Sequence, residues 1–258
     1  MAWMRDEYEK LLGHADPGVI TGKPLEEGGS EGRGFSTAQG GVYCVRELAK
    51  KMNWKAAETR VAVQGFGNAG SFMADILAKD GYKIVAVSDS SGGVKNPAGL
   101  DVPALLAHKR ETGKVSGAAG TEPISNEDIL ELDVDILVPA ALENVITENN
   151  APRLRAKALV ELANGPTTPE ADLILKEKGI LAVPDVLANA GGVTVSCFEW
   201  QQNVRNEHWT EADVLAKLEA IMNRSFAEVW ETKEKYGIDM RTAAFVKAVE
   251  RIAGAMKY

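Results

Sequence analysis

Cysteine, histidine and aromatic residues are all scarce in this sequence. Its two cysteines, Cys44 and Cys197, lie far apart and outside any C-x-x-C pair. A disulfide framework or thiolate metal centre is therefore excluded, and both thiols are expected to be reduced and buried. The three histidines, His14, His108 and His208, show no metal-binding spacing and read as structural or surface residues. Basic charge is also short: the net charge is −8, and the lysines and arginines are dispersed among acids. Such a surface does not attract nucleic acid or anionic lipid. No apolar run is long enough to span a bilayer. The first ten residues are charged from Arg5 onward and contain no signal-peptide core, so a cytoplasmic location is expected.

What the sequence does hold is 258 residues, 45% of them hydrophobic, enough for an ample core. Its most informative stretch is Val61-Ala62-Val63-Gln64-Gly65-Phe66-Gly67-Asn68-Ala69-Gly70, an apolar β-type run feeding G-x-G-x-x-G and then a helix-forming segment. Gly65 suits the tight turn out of the strand, Gly67 a close backbone approach to a pyrophosphate, and Gly70 close helix–sheet packing. The helix that follows aims unpaired N–H groups and its positive dipole end at the phosphates. A second β-branched run, Lys83 to Val87, leads to Ser88-Asp89, about 20 residues past the third glycine, where a ribose-binding carboxylate belongs.

Strand and helix signals go on alternating, with strands expected at 135–138, 158–161 and 180–183 and helices at 102–112, 126–132 and 168–178. Strands that are apolar throughout suit a sheet buried on both sides. The fold class expected is α/β: a Rossmann-like, doubly wound, mostly parallel sheet with helices on both faces and a C-terminal helical segment. Residues 1–36 read as an N-terminal helix, with Trp3, Met4, Tyr8 and Leu11 near one face, and a Gly/Pro-rich interdomain segment. Residues 37–209 read as the NAD-binding domain, opened by a helix that Ser36 or Thr37 could cap. Residues 210–258 read as two amphipathic helices packing on it, the first starting at a Thr210/Asp213 capping box. Their apolar stripe reads as core rather than as a cofactor wall or oligomer seam.

In a doubly wound sheet, ligands bind beyond the carboxyl ends of the strands. Three such ends stand out. Pro139-Ala140-Ala141 is a small-residue turn that either admits a ring or ribose or is an ordinary turn. Asn164, in Ala163-Asn164-Gly165-Pro166-Thr167-Thr168, offers a donor and an acceptor, and Thr168 can cap the next helix. Asn189-Ala190-Gly191-Gly192 permits close approach to a ligand or forms a buried turn, and Ser196 begins a turn or helix with its hydroxyl available.

These segments, with Pro17-Gly18-Val19-Ile20-Thr21-Gly22-Lys23-Pro24, Gly32-Arg33, Ser88-Asp89-Ser90-Ser91-Gly92-Gly93 and Asn189 through Ser196, make the chain resemble the cofactor-binding half of the hexameric-type glutamate dehydrogenases. That group belongs to the wider amino-acid dehydrogenase family, which includes leucine, phenylalanine and valine enzymes. The resemblance implies NAD-dependent oxidative deamination of L-glutamate to 2-oxoglutarate and ammonia, with hydride passing from Cα to the nicotinamide. By position, it implies that Thr37, Asn164 and Asn189 hold the nicotinamide end, that the segment from Gly65 through Phe66 and Gly67 to Asn68 holds the pyrophosphate, and that Asp89 takes the adenosine ribose. Arg33 and Ser196 would reach the substrate's side-chain carboxylate, with Val193 walling the pocket.

An arginine and a serine at those positions fit an acidic side chain better than a branched apolar one. The family's catalytic lysine and aspartate, supplied by an earlier domain, have no counterpart here, so no catalytic residue is assigned and the chain alone is expected to be inactive. Its expected partner is then that N-terminal domain or a full-length homologue; the alternative is a non-catalytic NAD-binding or regulatory subunit. Ala38-Gln39-Gly40 departs from the family's Thr-Gly-Arg-Gly or Thr-Ala-Arg-Gly. Asp89 accepts from a 2′-hydroxyl and repels a 2′-phosphate, which favours NAD, with Lys95 the residue that would admit NADP.

Overall fold

A computed structural model describes residues 1–256. A first helix, α1 (Ala2–Leu12), ends at Gly13 and buries none of its side chains; Trp3 and Leu11 are 90% and 81% exposed. After an irregular stretch, α2 (Ser36–Met52) begins. The alternating unit follows: β1 (Arg60–Gln64), α3 (Asn68–Lys79), β2 (Lys83–Asp89), β3 (Gly92–Lys95), α4 (Val102–Thr112), β4 (Glu122–Ile124), β5 (Ile136–Pro139), β6 (Ala158–Val160), α5 (Pro169–Glu177) and β7 (Leu181–Val183). Then come α6 (Asp185–Ala188), α7 (Gly191–Arg205), α8 (Glu211–Tyr236) and α9 (Met240–Ala255). No helix of the described residues is long and apolar enough to cross a membrane.

The strands form one sheet in the order β4-β3-β2-β1-β5-β6-β7. β1 pairs in parallel with both β2 and β5, and β5, β6 and β7 continue in parallel, while β3 and β4 are antiparallel additions at one edge. Chain reversal between β1 and its two neighbours creates the crevice at the strands' carboxyl ends where ligands bind in such sheets. Successive strand residues face opposite layers. Val61, Val63, Val87, Ile136, Val138, Val160 and Val183 join one apolar cluster with residues of α2, α3, α7, α8 and α9. Ala62, Ala86, Leu137 and Leu159 join a second cluster with α5 and residues 129–134. The sheet is thus covered on both faces, as the continuous apolar strands imply.

Side-chain caps mark four of the nine α-helix starts among the described residues, Asp239 opening α9. Asp101 and Thr168 cap α4 and α5, each followed by proline in the first turn, and Thr210 with Asp213 completes a capping box on α8. In α8, Val214, Leu218, Met222, Phe226, Val229 and Trp230 are buried in the main cluster, which accounts for the helical apolar stripe as core.

Four expectations are corrected. Residues 126–132 form turns rather than a helix, and their apolar side chains Ile129 and Leu130 are buried against the second face. Neither Ser36 nor Thr37 caps α2: Ser36 is already its first residue, its hydroxyl donating to the Arg33 carbonyl. α7 starts at Gly191, so Ser196 lies well inside it. Cys44 is buried but Cys197 is exposed. Burial raises the pKa of the Cys44 thiol, which is therefore unreactive.

Candidate functional site

At the end of β1 the chain turns through Gly65, whose φ of +101° lies in the region that favours glycine. A Cβ there would fall 2.8 Å from Ala140 and Ala141, because the turn after β5 abuts the turn after β1. The Gly65 and Phe66 N–H groups donate to the Ser88 carbonyl at 2.9 and 2.6 Å, locking the turn onto β2. The Phe66 ring is buried beneath it and contributes packing rather than open surface.

Gly67 and Asn68 are exposed, and α3 begins at Asn68. Nothing lies within 4 Å of where a Gly67 Cβ would stand, whereas a Gly70 Cβ would meet the Gly65 carbonyl oxygen at 1.9 Å. Open space over Gly67, facing the N-terminus of a twelve-residue helix, fits a pyrophosphate. On facing residues of β1 and β2, the buried Gln64 Oε1 and Ser88 Oγ have no partner among the described residues, so uncommitted polar capacity lies at the same strand ends.

Asp89 ends β2. Its Oδ1 accepts from the Ser91 N–H at 2.9 Å and the Ser91 hydroxyl at 2.6 Å, and its Oδ2 from Lys109 Nζ at 2.8 Å and the Val115 N–H at 3.0 Å. Burial alone would push this carboxyl's pKa up, but hydrogen bonds from Lys109, Ser91 and Val115 outweigh it and hold the group below the usual carboxylate range. Lys109 also donates to the Phe66 carbonyl at 2.8 Å, joining α4 to the turn after β1. Lys95 faces Ala86 across the β2–β3 pair and approaches Glu122, while Asp89 faces Gly92. The cation paired with Asp89 is thus Lys109, not Lys95.

Beyond β6 and β7, the Asn189 side-chain amide donates to Asn164 Oδ1 at 2.7 Å, so these two asparagines meet across 25 residues of chain. On the neighbouring side, Arg33 Nε donates to Ser196 Oγ at 3.0 Å, and that hydroxyl donates to the Gly192 carbonyl. Among the described residues Arg33 forms no ion pair, so its guanidinium charge is uncompensated; its Nη1 lies 4.0 Å from where a Gly192 Cβ would stand, and the next residue, Val193, is exposed. Thr37 lies against Gly192, where a Cβ would stand 2.5 Å from its hydroxyl oxygen. Asn68 donates to the Gly34 carbonyl at 3.0 Å, tying the Arg33 segment to the start of α3. Gly191 packs on α2, its Cβ position only 2.1 Å from the Ser36 carbonyl oxygen. The paired glycines therefore serve a close helix–helix contact.

The sequence model of the glutamate/leucine/phenylalanine/valine dehydrogenase family matches residues 28–258. The chain belongs to this family. It is 48% identical over all 258 residues to a catabolic NAD-specific glutamate dehydrogenase of Bacillus subtilis, covering 61% of that protein. It is 52% identical over 257 residues to an NADP-specific glutamate dehydrogenase of Halobacterium salinarum, covering 99% of this chain and 62% of the relative. The crystal structure of a hetero-hexameric glutamate dehydrogenase from Thermus thermophilus superposes with a TM-score of 0.92 at 35% identity, over 99% of this chain and 60% of that one. The chain thus spans about three fifths of the length of the dehydrogenases it matches.

Several residues of this chain carry no local sequence signal. Lys109 lies in a helix 20 residues after Asp89, and only the fold brings it to that carboxylate. The Lys23–Glu199 pair, 2.9 Å apart and fully buried, pins the Gly/Pro-rich segment to α7, close to where Arg33 meets Ser196. Gln39, at the departure from the family pattern, is buried within α2.

Proposed function

We propose that this chain is the dinucleotide-presenting portion of an L-glutamate dehydrogenase, taking NAD and, through Lys109, tolerating NADP. The observation that carries the reading is the continuity of residues 33–37. Arg33 is held by Ser196, the Gly34 carbonyl accepts from Asn68 of the phosphate helix, and Thr37 sits on Gly192. One short segment thereby joins an uncompensated guanidinium, suited to a substrate carboxylate, to a turn suited to a pyrophosphate.

In this reading Gly65, Gly67, Asn68 and Gly70 shape the phosphate turn, with Phe66 packing beneath it. Ala140 and Ala141 border the turn, Asp89 accepts the adenosine ribose, and Thr37, Asn164 and Asn189 orient the nicotinamide amide. Arg33 and Ser196 bind the substrate's side-chain carboxylate beside Val193. NAD bound here supplies the hydride acceptor for the substrate Cα. The groups that move protons come from the remainder of a longer protein of this family. The chain alone is expected to bind NADH without reducing NAD in the presence of glutamate. Adding the part of the Bacillus subtilis relative that it does not span should yield glutamate-dependent NADH formation. Failure to bind NADH would overturn the proposal. NADH binding and association with a full-length homologue, with no activity from that mixture, would point instead to a non-catalytic subunit.

Lys109 makes the cofactor preference testable. An isolated Asp89 would repel a 2′-phosphate, but Lys109 at 2.8 Å neutralises it and supplies a cation to the same position. Lys109→Met should weaken NADPH binding about tenfold more than NADH binding, a difference of ~1.4 kcal/mol. Fluorescence titration of both cofactors measures it, and equal losses would restrict Lys109 to supporting the turn.

A further inference from the structure

Arg241, the second residue of α9, lies by the carboxyl ends of β6 and β7, two and three strands along the sheet from β1 and the turn that follows it. It donates from Nη2 to Glu161 Oε1 at 2.6 Å and from Nε to Asp172 Oδ2 at 2.8 Å, and its Nη1 lies 3.6 Å from Asp185 Oδ1. One cation thus faces three carboxylates, and the Glu161 side chain is fully buried. Burial alone would lower the Arg241 pKa, but the pairing with Glu161 and Asp172 raises it overall.

Two of these carboxylates hold ligand-facing loops. Glu161 accepts from the Thr167 hydroxyl at 2.7 Å and the Asp185 N–H at 3.0 Å. Asp185 Oδ2 accepts from the Gly165 N–H, beside Asn164, at 2.8 Å, and Asp185 opens α6, which leads directly into Asn189. Through them the guanidinium fixes both loops whose asparagines meet at 2.7 Å.

We infer that Arg241 is a positioning residue for the nicotinamide end, setting the Asn164–Asn189 pair from the C-terminal helix without touching cofactor. This rests on the dinucleotide reading above. Without Arg241, three neighbouring carboxylates, one fully buried, have no cation among them, and their repulsion in a poorly screened environment drives the two loops apart. The adenosine and pyrophosphate positions lie on β1, α3 and β2 and share none of these contacts.

The test compares NADH with ADP-ribose, which carries the adenosine, pyrophosphate and second ribose but no nicotinamide. In the full chain, Arg241→Gln should weaken NADH binding about tenfold or more while ADP-ribose affinity stays within about twofold. It should also shift the side-chain amide NMR signals of Asn164 and Asn189. Arg241→Lys keeps the cation but not the forked geometry. It should give an intermediate loss confined to NADH, and it carries the test if the glutamine variant does not fold, as judged by circular dichroism. Parallel loss of both ligands, or unchanged NADH affinity in a folded variant, overturns the inference alone. Failure of the unsubstituted chain to bind ADP-ribose overturns the dinucleotide reading with it.

Discussion

Alanine at Gly67 is expected to abolish dinucleotide binding in a normally stable chain, whereas alanine at Gly70 abolishes binding and destabilises the fold. The two glycines are three residues apart, but the structure gives them different work. Around Gly67 the backbone is extended and the Cβ direction is free of protein atoms to 4 Å, so a methyl group costs the fold little and occupies the space assigned to pyrophosphate. At Gly70 the methyl would stand 1.9 Å from the Gly65 carbonyl oxygen and 3.1 Å from its carbon, both backbone atoms that no rotamer change can move. Either α3 withdraws from β1 or the turn at Gly65 opens, and that turn is already confined by Ala140 and Ala141. A loss of at least about a hundredfold in NADH affinity, ~2.7 kcal/mol, is expected for each variant. The thermal midpoint should fall for Gly70→Ala only. Undiminished binding by Gly67→Ala would mean that phosphates do not pass over this turn.

The second large effect is on stability. Lys23 Nζ and Glu199 Oε1 are 2.9 Å apart with neither side chain exposed to solvent. Glu199 also accepts from the Gly22 and Lys23 N–H groups, and Lys23 Nζ donates to the Ile20 carbonyl at 2.6 Å. Removing one partner strands a buried charge, at a cost of about 3–5 kcal/mol. Lys23→Met and Glu199→Gln should each lower the thermal midpoint by roughly 10 °C. The double variant removes both charges while the glutamine oxygen can still accept from a backbone N–H, so it should recover a large part of the loss. Additive losses in denaturant titrations would show that the two side chains act independently.

The parts of the molecule legible in the sequence are those whose cause is local. The turn at Gly65, the caps at Thr168 and Thr210 and the buried parallel strands each announce themselves within a few residues. Where the cause is non-local, the sequence misleads. Residues 126–132 read as a helix, but Ile129 and Leu130 plug the second face of the sheet while the backbone around them only turns. β3 and β4 escape notice because Gly92, Gly93 and Pro123 weaken the strand signal. Pro123 can occur there because β4 is the outermost strand of the sheet, where proline's missing N–H is tolerated. Arg33 and Ser196 are individually visible as polar residues in unusual segments, but their contact joins positions 163 residues apart.

The seam between α2 and α7 bears on how a substrate is received. At Gly40 and Gly191 the two helices touch through main chain, with no room for even a methyl group between them. A junction without side chains has no rotamers to freeze when a ligand arrives. Arg33 and Thr37 on one flank and Ser196 on the other are therefore carried by a single stiff unit. In the proposed reading, the backbone of that pocket is ordered at folding, and the entropy of ordering it is not charged against binding.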